Sequence, residues 1–197
     1  MKFQNGTHEV EGWQTISRTM RYEDRNLSVA SVEVRTPSKP SGRKWTVALR
    51  KSAVVIAALT NENKLVLIRE ERVPVQAALW SVPAGQIDDD EELEEVARRE
   101  LQEETGYEVA SAGEMLSLGH FFTSPGFTDE CGHFFLARPV ELSARGAAHC
   151  ESESILDCRA FTQREIAEMI ARNEIRDANT LSICALLAAR GYFSLDR

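Results

Sequence analysis

The segment from Gly85 to Tyr107 constrains this chain more than any other part of its sequence. It contains three glutamates, Glu100, Glu103 and Glu104, at positions i, i+3 and i+4. On a helix this spacing places the three side chains on one face, where like charges repel each other by roughly a few tenths of a kcal/mol per pair. A positive group is therefore expected beside them. A divalent cation is the natural candidate, because Mg²⁺ prefers oxygen ligands and shares its shell with waters and substrate phosphates.

The sequence around these glutamates predicts a helix with defined ends. Its apolar residues form one stripe at helical spacing: Leu93, Val96, Ala97 and Leu101. Asp88 or Asp89 is expected to cap the first turn, where acidic residues suit the helix dipole. Gly106 is expected to be the left-handed residue that ends the helix.

Composition limits the classes of protein to which the chain can belong. It has 197 residues and a net charge of −8, so a non-specific nucleic-acid binder with a basic patch is not expected. No apolar run approaches the length of a membrane span, and the first residues lack the apolar core of a signal peptide, so we expect a cytoplasmic protein. The four cysteines show no paired spacing and are expected to be reduced thiols.

The pattern along the chain predicts an α+β protein in two parts. Residues 1–50 are expected to form a small strand-rich N-terminal piece, interrupted by a turn or loop at PSKPSGRK, and residues 51–197 the main domain. Strands are expected at 54–59, 65–68, 79–83, 116–122, 133–137 and 156–161. Two helices close the chain. Thr162 and Glu165 form a capping box for the first, and the second begins near Asn179 and ends before Gly191.

The segment from Gly85 to Tyr107 resembles the Nudix box, G-x5-E-x7-R-E-U-x-E-E-x-G-U, where U is apolar. Every fixed position matches: Gly85, Glu91, Arg99, Glu100, Glu103, Glu104 and Gly106. Tyr107 fills the last apolar position, where an aliphatic residue is more usual. The alternative, an amphipathic helix with a solvated acidic face, does not account for this order of residue types.

The resemblance implies a Nudix fold, in which a central mixed sheet lies between helices, and hydrolysis of a nucleoside diphosphate linked to another group. It implies that Glu100 and Glu104 hold Mg²⁺, with Mn²⁺ as the alternative ion, and that Glu103 assists. It also implies that Arg99 stabilises the box through an ion pair with Glu91.

The stretch before the box resembles the ADP-ribose pyrophosphatase branch of this family. It contains Arg69 and Arg72 followed by Trp80, Pro83, Ala84 and Gly85. The resemblance implies that Arg72 contacts substrate and that the main-chain carbonyl of Ala84 is a metal ligand. Ser81 departs from the glutamate that is common in this branch.

Two later segments also resemble this branch. The loop with Pro125, Gly126 and Phe127 corresponds to its substrate-pocket proline motif, although an ordinary proline–glycine turn is the alternative. In the E-x-E at Glu151 and Glu153, the resemblance implies a general base followed by a metal ligand, and a polar surface loop is the alternative. Whether Glu151 or Glu103 is the base stays open.

The N-terminal tryptophans and the small N-terminal sheet bear on assembly. In related dimeric enzymes, aromatic residues placed like Trp13 and Trp45 clamp the adenine, while core or interface packing is the alternative. A small sheet rarely buries both faces by itself, and this branch typically exchanges it between subunits, so we expect a homodimer.

The expected function is Mg²⁺-dependent cleavage of ADP-ribose, or of a related nucleoside diphosphate sugar, into a nucleoside monophosphate and a sugar phosphate. GDP-mannose, another nucleotide sugar or a dinucleotide is the alternative substrate. A non-catalytic nucleotide-sugar sensor with a Nudix-like fold is the alternative of another class, and the intact glutamates argue against it. The expected partner is a small nucleotide sugar, and neither nucleic acid nor membrane is expected.

Overall fold

The computed structural model describes residues 12–25, 27–88, 90–148 and 154–195. The contacts within the chain divide it into two compact units. The first contains the described residues up to Ser52 together with Phe122–Cys131, and the second contains Ala53–Phe121 and the described residues from Gly132 onwards. Each unit is described by itself below.

The first unit is a three-stranded antiparallel sheet in the order β1-β2-β3. Its strands are β1 (Gln14–Glu23), β2 (Ser28–Thr36) and β3 (Lys39–Leu49). Ala30 and Val32 on the central strand are buried, while every residue of β1 is exposed. The turn or loop predicted at PSKPSGRK is confirmed only at its start: Pro37 and Ser38 form a tight turn, across which Thr36 pairs with Lys39. The rest of the segment belongs to β3. Proline and polar residues are tolerated in β3 because it is an edge strand.

The second unit is built on a mixed sheet in which five strands follow the order β10-β5-β4-β9-β8. Two further strands complete it: β6 pairs with β5, and β7 pairs with β4. Strands β4 and β9 are parallel, and the pairs of β5 with β4, β6 and β10 are antiparallel. The strands are β4 (Ala53–Thr60), β5 (Leu65–Arg72), β6 (Ala77–Ser81), β7 (Ala84–Gln86), β8 (Tyr107–Phe122), β9 (Cys131–Leu142) and β10 (Ile155–Phe161). A short 3₁₀ turn, Val73–Val75, joins β5 to β6.

In the described ranges, three helices cover the two faces of this sheet: α1 (Leu93–Thr105), α2 (Gln163–Ala171) and α3 (Ala178–Ala189). Alternate residues of β4 point to opposite faces. Val54 and Ile56 pack in a cluster with Val96 and Leu101 of α1. Residues of the other parity, such as Val55, pack with residues of α2 and α3. A mixed sheet between helices confirms the predicted α+β class.

The structure confirms some of the predicted helix ends and contradicts one of them. Gly106 ends α1 with φ +72°, and Thr162 and Glu165 form the capping box of α2, as predicted. The cap predicted at Asp88 or Asp89 is wrong, because α1 has Glu92 at its N-cap and no side-chain cap. None of the helices in the described ranges is long and apolar enough to span a membrane.

Two strands are longer than the sequence predicted. β8 extends over Tyr107–Phe122 instead of 116–122, and β9 over Cys131–Leu142 instead of 133–137. The added residues of β8 are mostly exposed or half-buried, so they lack the alternation of apolar and polar residues on which strand prediction depends.

A buried threonine links α3 to the end of β6. The Thr180 hydroxyl accepts a hydrogen bond from the Val82 N–H at 3.0 Å and donates to Asp177 Oδ2 at 2.7 Å. Thr180 is fully buried. Val82 lies two residues before Ala84, so this contact holds the chain where it enters β7.

We therefore expect Thr180→Val to lower the free energy of unfolding by about 1–3 kcal/mol, because it leaves the buried Val82 N–H without an acceptor. Urea denaturation followed by circular dichroism measures this. Thr19→Val on the exposed strand β1 is the matched control, with an expected change within about 0.5 kcal/mol. Equal effects of the two substitutions would contradict the role of the Thr180 hydroxyl.

Candidate active site

The central contact of the site lies between α1 and strand β7. A Cβ added at Gly85 would lie 1.9 Å from Cδ of Glu100 and 2.2 Å from its Oε1. A side chain at this position would displace the Glu100 carboxyl group, so glycine is what allows the carboxylate to lie here. Glu100 is only 6% exposed, so its carboxylate lies in a space that the missing side chain of Gly85 leaves open.

The next turn of α1 makes a second contact with the same strand. Glu104 Oε2 accepts a hydrogen bond from the Ala84 N–H at 2.9 Å, and Glu104 is 4% exposed. Glu100 and Glu104 are four residues apart and therefore face the same side of the helix. Two buried carboxylates thus lie against the backbone of Ala84 and Gly85.

Arg99 supplies positive charge to this cluster. Its Nη1 lies 2.8 Å from Glu100 Oε1 and 3.1 Å from Glu103 Oε2, and its Nη2 lies 3.6 Å from Glu91 Oε1. Burial by itself would lower the pKa of Arg99, but the carboxylates of Glu100, Glu103 and Glu91 together raise it. The ion pair of Arg99 with Glu91 that the Nudix resemblance implies is therefore part of a larger network.

Glu91 also orders the loop that precedes α1. Its Oε2 accepts a hydrogen bond from the Asp88 N–H at 2.9 Å. The carboxylate of Glu91 thus connects this loop to Arg99, and through Arg99 to Glu100 and Glu103.

The donor atoms of the cluster suit a hard divalent cation. Glu100 and Glu104 offer carboxylate oxygens that are shielded from bulk water, and Mg²⁺ selects such ligands. Across the described ranges, however, no three histidine, cysteine, aspartate or glutamate side chains stand in a ligating arrangement. The carbonyl of Ala84 and Glu153 therefore stay predictions as metal ligands, and Glu153 lies outside the described residues, as does Glu151.

Hydrogen bonds fix the residues on either side of the segment 149–153. The Ala148 N–H donates to the Glu103 carbonyl at 2.9 Å, and Gln102 Nε2 donates to the Gly146 carbonyl at 2.5 Å. After this segment, the Ser154 carbonyl accepts from the Glu71 N–H at 3.0 Å. Helix α1 and strand β5 therefore hold the two ends of the stretch that contains Glu151 and Glu153.

In the first unit, the structure brings three of the predicted substrate-binding residues together. Trp45 Nε1 donates to the Gly126 carbonyl at 3.1 Å, and the Phe127 carbonyl accepts from the Ala48 N–H at 2.8 Å. The guanidinium of Arg43 stacks on Trp45, 4.4 Å from the ring centroid. Trp45 and Phe127 are both exposed, so their rings are open to a ligand.

The other predicted substrate residues are placed differently. Trp13 is exposed immediately before β1, and Pro125 lies in the loop next to Gly126. Arg72, in the second unit, forms an ion pair with Glu70 at 2.8 Å. Trp80 packs against Phe161, with ring centroids 5.1 Å apart, and so belongs to the core.

Glu130 anchors the proline loop, a role that the sequence did not reveal. Its carboxylate accepts from Arg50 Nε at 2.9 Å and from the Thr123 hydroxyl at 2.7 Å. Asp129 Oδ1 also accepts from the Arg50 N–H at 3.0 Å. Arg50 and Glu130 are far apart in sequence, so no local pattern could have predicted this ion pair.

Comparison with known proteins agrees with this geometry. The NUDIX domain model matches residues 49–182. ADP-ribose pyrophosphatase of Bacillus subtilis (strain 168) is 28% identical over 167 residues, covering 85% of this chain and 88% of that protein. The methanol dehydrogenase activator of Bacillus methanolicus is 30% identical over 168 residues, with the same two coverages.

A further relative and a solved structure extend the comparison. GDP-mannose pyrophosphatase of Escherichia coli (strain K12) is 33% identical over 135 residues, covering 66% of this chain and 69% of that protein. The crystal structure of an ADP compounds hydrolase shares the fold, with a TM-score of 0.73 and 19% identity over 94% of this chain and 96% of that one. The chain therefore belongs to the Nudix family, and it is a Nudix hydrolase of the ADP-ribose pyrophosphatase branch.

Arg99 and its neighbour Arg98 allow a matched test of the charge network. We expect Arg99→Ala to lower the free energy of unfolding by about 1 kcal/mol or more, because the buried Glu100 loses its cationic partner. The 40% exposure of the Arg99 side chain keeps this figure low through solvent screening. Arg98 pairs only with the exposed Glu94 among the described residues, so Arg98→Ala should cost less than about 0.5 kcal/mol.

Urea denaturation of both variants measures this difference. The difference between the two variants should be smaller in high salt, because the charge network is partly open to solvent. If Arg98→Ala destabilises the protein as much as Arg99→Ala does, the special role of Arg99 is contradicted.

Proposed function

We propose that this Nudix hydrolase cleaves the diphosphate of ADP-ribose or a related nucleoside diphosphate sugar in a Mg²⁺-dependent reaction. The products are a nucleoside monophosphate and a sugar phosphate. The observation that carries the proposal is the pair of buried carboxylates, Glu100 and Glu104, held against Ala84 and Gly85 of β7. A buried acidic pair is costly unless a cation uses it, which favours an enzyme over a sensor without metal.

The proposed roles follow from the contacts of the cluster. A divalent cation, when bound, supplies neutralisation of the phosphates and activation of the attacking water. Glu100 and Glu104 would hold it, with the Ala84 carbonyl and Glu153 as further ligands. Arg99 keeps Glu100 and Glu103 in place, and the hydrogen bond from the Ala84 N–H orients Glu104.

Two glutamates are candidates for the general base. Glu103 accepts a hydrogen bond from Arg99 at 3.1 Å, and this bond occupies one of its oxygens. Glu151 lies in the segment whose flanking residues Ala148 and Ser154 are bonded to Glu103 and Glu71. We favour Glu151, because the hydrogen bond from Arg99 already engages the carboxylate of Glu103.

The proposed substrate class draws on the relatives and on Trp45. Relatives named ADP-ribose pyrophosphatase and GDP-mannose pyrophosphatase both align with this chain, so a nucleotide sugar with either base is supported. Trp45 offers an exposed ring beside Gly126 and Phe127, and Arg43 stacks on one side of it. An aromatic ring of this kind suits stacking with a purine base, and Arg72 and Trp13 stay proposed substrate contacts.

Activity against a substrate panel tests the proposal. The panel contains ADP-ribose, GDP-mannose, a dinucleotide and a nucleoside triphosphate, each with Mg²⁺, with Mn²⁺ and with chelator. We expect the highest kcat/KM for ADP-ribose and loss of turnover with chelator. Failure of every nucleoside diphosphate sugar would refute the proposed substrate class, whereas preference for GDP-mannose would support the alternative.

A substitution on α1 tests the carboxylate pair. Glu104→Gln should lower kcat by about 100-fold or more, since it removes the charge of a proposed metal ligand while nearly keeping its shape. Glu95→Gln, an exposed glutamate on the same helix, is the matched control and should retain activity. Comparable losses in the two variants would contradict the proposed role of Glu104.

The same assay separates the two candidate bases. We expect Glu151→Gln to remove the acidic limb of the pH–rate profile and to leave the Mg²⁺ dependence unchanged. Glu103→Gln should mainly raise the Mg²⁺ concentration needed for half-maximal activity. The reverse pattern would assign the base to Glu103.

We also propose that the chain acts as a cytoplasmic homodimer. Apolar side chains are exposed along the edge strand β1 of the N-terminal sheet, among them Ile16, Met20 and Tyr22. A strand exposed along its whole length with such residues is typical of an interface. Light scattering at micromolar concentration should give a mass of 2 × 22.0 kDa, about 44 kDa, and a mass near 22.0 kDa would contradict the dimer.

A further inference from the structure

Two histidines form a pair in the second unit that the proposed reaction does not use. His120 lies on β8 and His133 on the neighbouring strand β9. Their ring centroids are 6.0 Å apart, with the ring planes inclined by 46°. The two imidazoles lie on consecutive strands, and the pairing of these strands brings them together.

We propose that His120 and His133 together bind one divalent late transition-metal ion, such as Ni²⁺ or Zn²⁺. Two imidazoles on one ion, each with a metal–nitrogen distance of about 2.0–2.1 Å, have ring centroids roughly 5–6 Å apart. The observed separation of 6.0 Å lies at the upper end of this range. Imidazole nitrogen suits zinc, nickel and copper, whereas Mg²⁺ selects carboxylate oxygens.

The surroundings of the two rings favour metal binding. His120 is exposed, so an ion can reach the pair from solvent. His133 is half-buried, and its burial, followed by the neighbouring His120, lowers the pKa of its imidazole. A lowered pKa keeps His133 neutral at pH 7, which is the form that coordinates a metal.

The pair is separate from the carboxylate cluster. His133 pairs with Val54, and Val54 pairs with Gly85 on its other side. Two strand spacings therefore separate the backbone of His133 from that of Gly85, a distance of about 10 Å. Because no third side chain of a ligating type joins the pair among the described residues, water fills the remaining positions of the ion.

Calorimetric titration of the whole protein with Ni²⁺ tests this site, with Mg²⁺ kept saturating so that the carboxylates are occupied. We expect one Ni²⁺ site per chain and at least about a tenfold loss of affinity in His120→Ala and in His133→Ala. His8→Ala removes an imidazole elsewhere and is the matched control, with affinity unchanged. Unchanged affinity in His120→Ala would overturn the proposal. Because the His120 side chain is exposed, this variant tests metal binding rather than folding.

A second measurement does not depend on substitution. Zn²⁺ added in the presence of Mg²⁺ should shift the imidazole proton resonances of both His120 and His133 in the wild-type protein. Shifts confined to His8 or His149 would overturn the proposal. The result is independent of turnover, so it stands or fails separately from the proposed hydrolase activity.

Discussion

The contact between the buried face of α1 and strand β7 is the constraint on which the rest of the site depends. Gly85 leaves room for the carboxylate of Glu100, and the N–H of Ala84 donates to Glu104. These contacts bring two acidic side chains into a position that is nearly closed to water. Apolar packing holds α1 against the sheet beside this contact. Val96 and Leu101 of α1 pack with Val54 and Ile56 of β4.

Burial of two carboxylates is unfavourable unless their charge is compensated, and the structure shows how part of this cost is met. Arg99 contacts Glu100 and Glu103 directly and lies near Glu91, so a single guanidinium serves three carboxylates. Glu104 receives a backbone hydrogen bond instead. The remaining negative charge leaves the cluster suited to a cation, which agrees with the membership of the chain in the Nudix family.

Prediction from sequence succeeded where the determinants are local and failed where they are not. The C-cap at Gly106 and the capping box at Thr162 and Glu165 depend on a few adjacent residues, and both were predicted. The cap predicted at Asp88 or Asp89 is wrong, because the helix begins later, with Glu92 at its N-cap. The segment PSKPSGRK, predicted as a turn or loop, turns only at Pro37 and Ser38 and is otherwise strand, because pairing with β2 outweighs the local turn propensity of its later proline and glycine.

The sequence alone determined the family resemblance and the helix that carries the glutamates, because these depend on residue types at fixed spacing. Only the tertiary structure showed why glycine stands at position 85, where a side chain would meet the carboxylate of Glu100. Only the tertiary structure decided that Glu100 and Glu104 are buried while Glu103 turns towards Arg99. It also decided that Trp45 meets Gly126, that Glu130 pairs with Arg50, and that His120 lies beside His133. These contacts join residues from distant parts of the chain, and the pairing of strands and the packing of loops, which no local pattern encodes, bring them together.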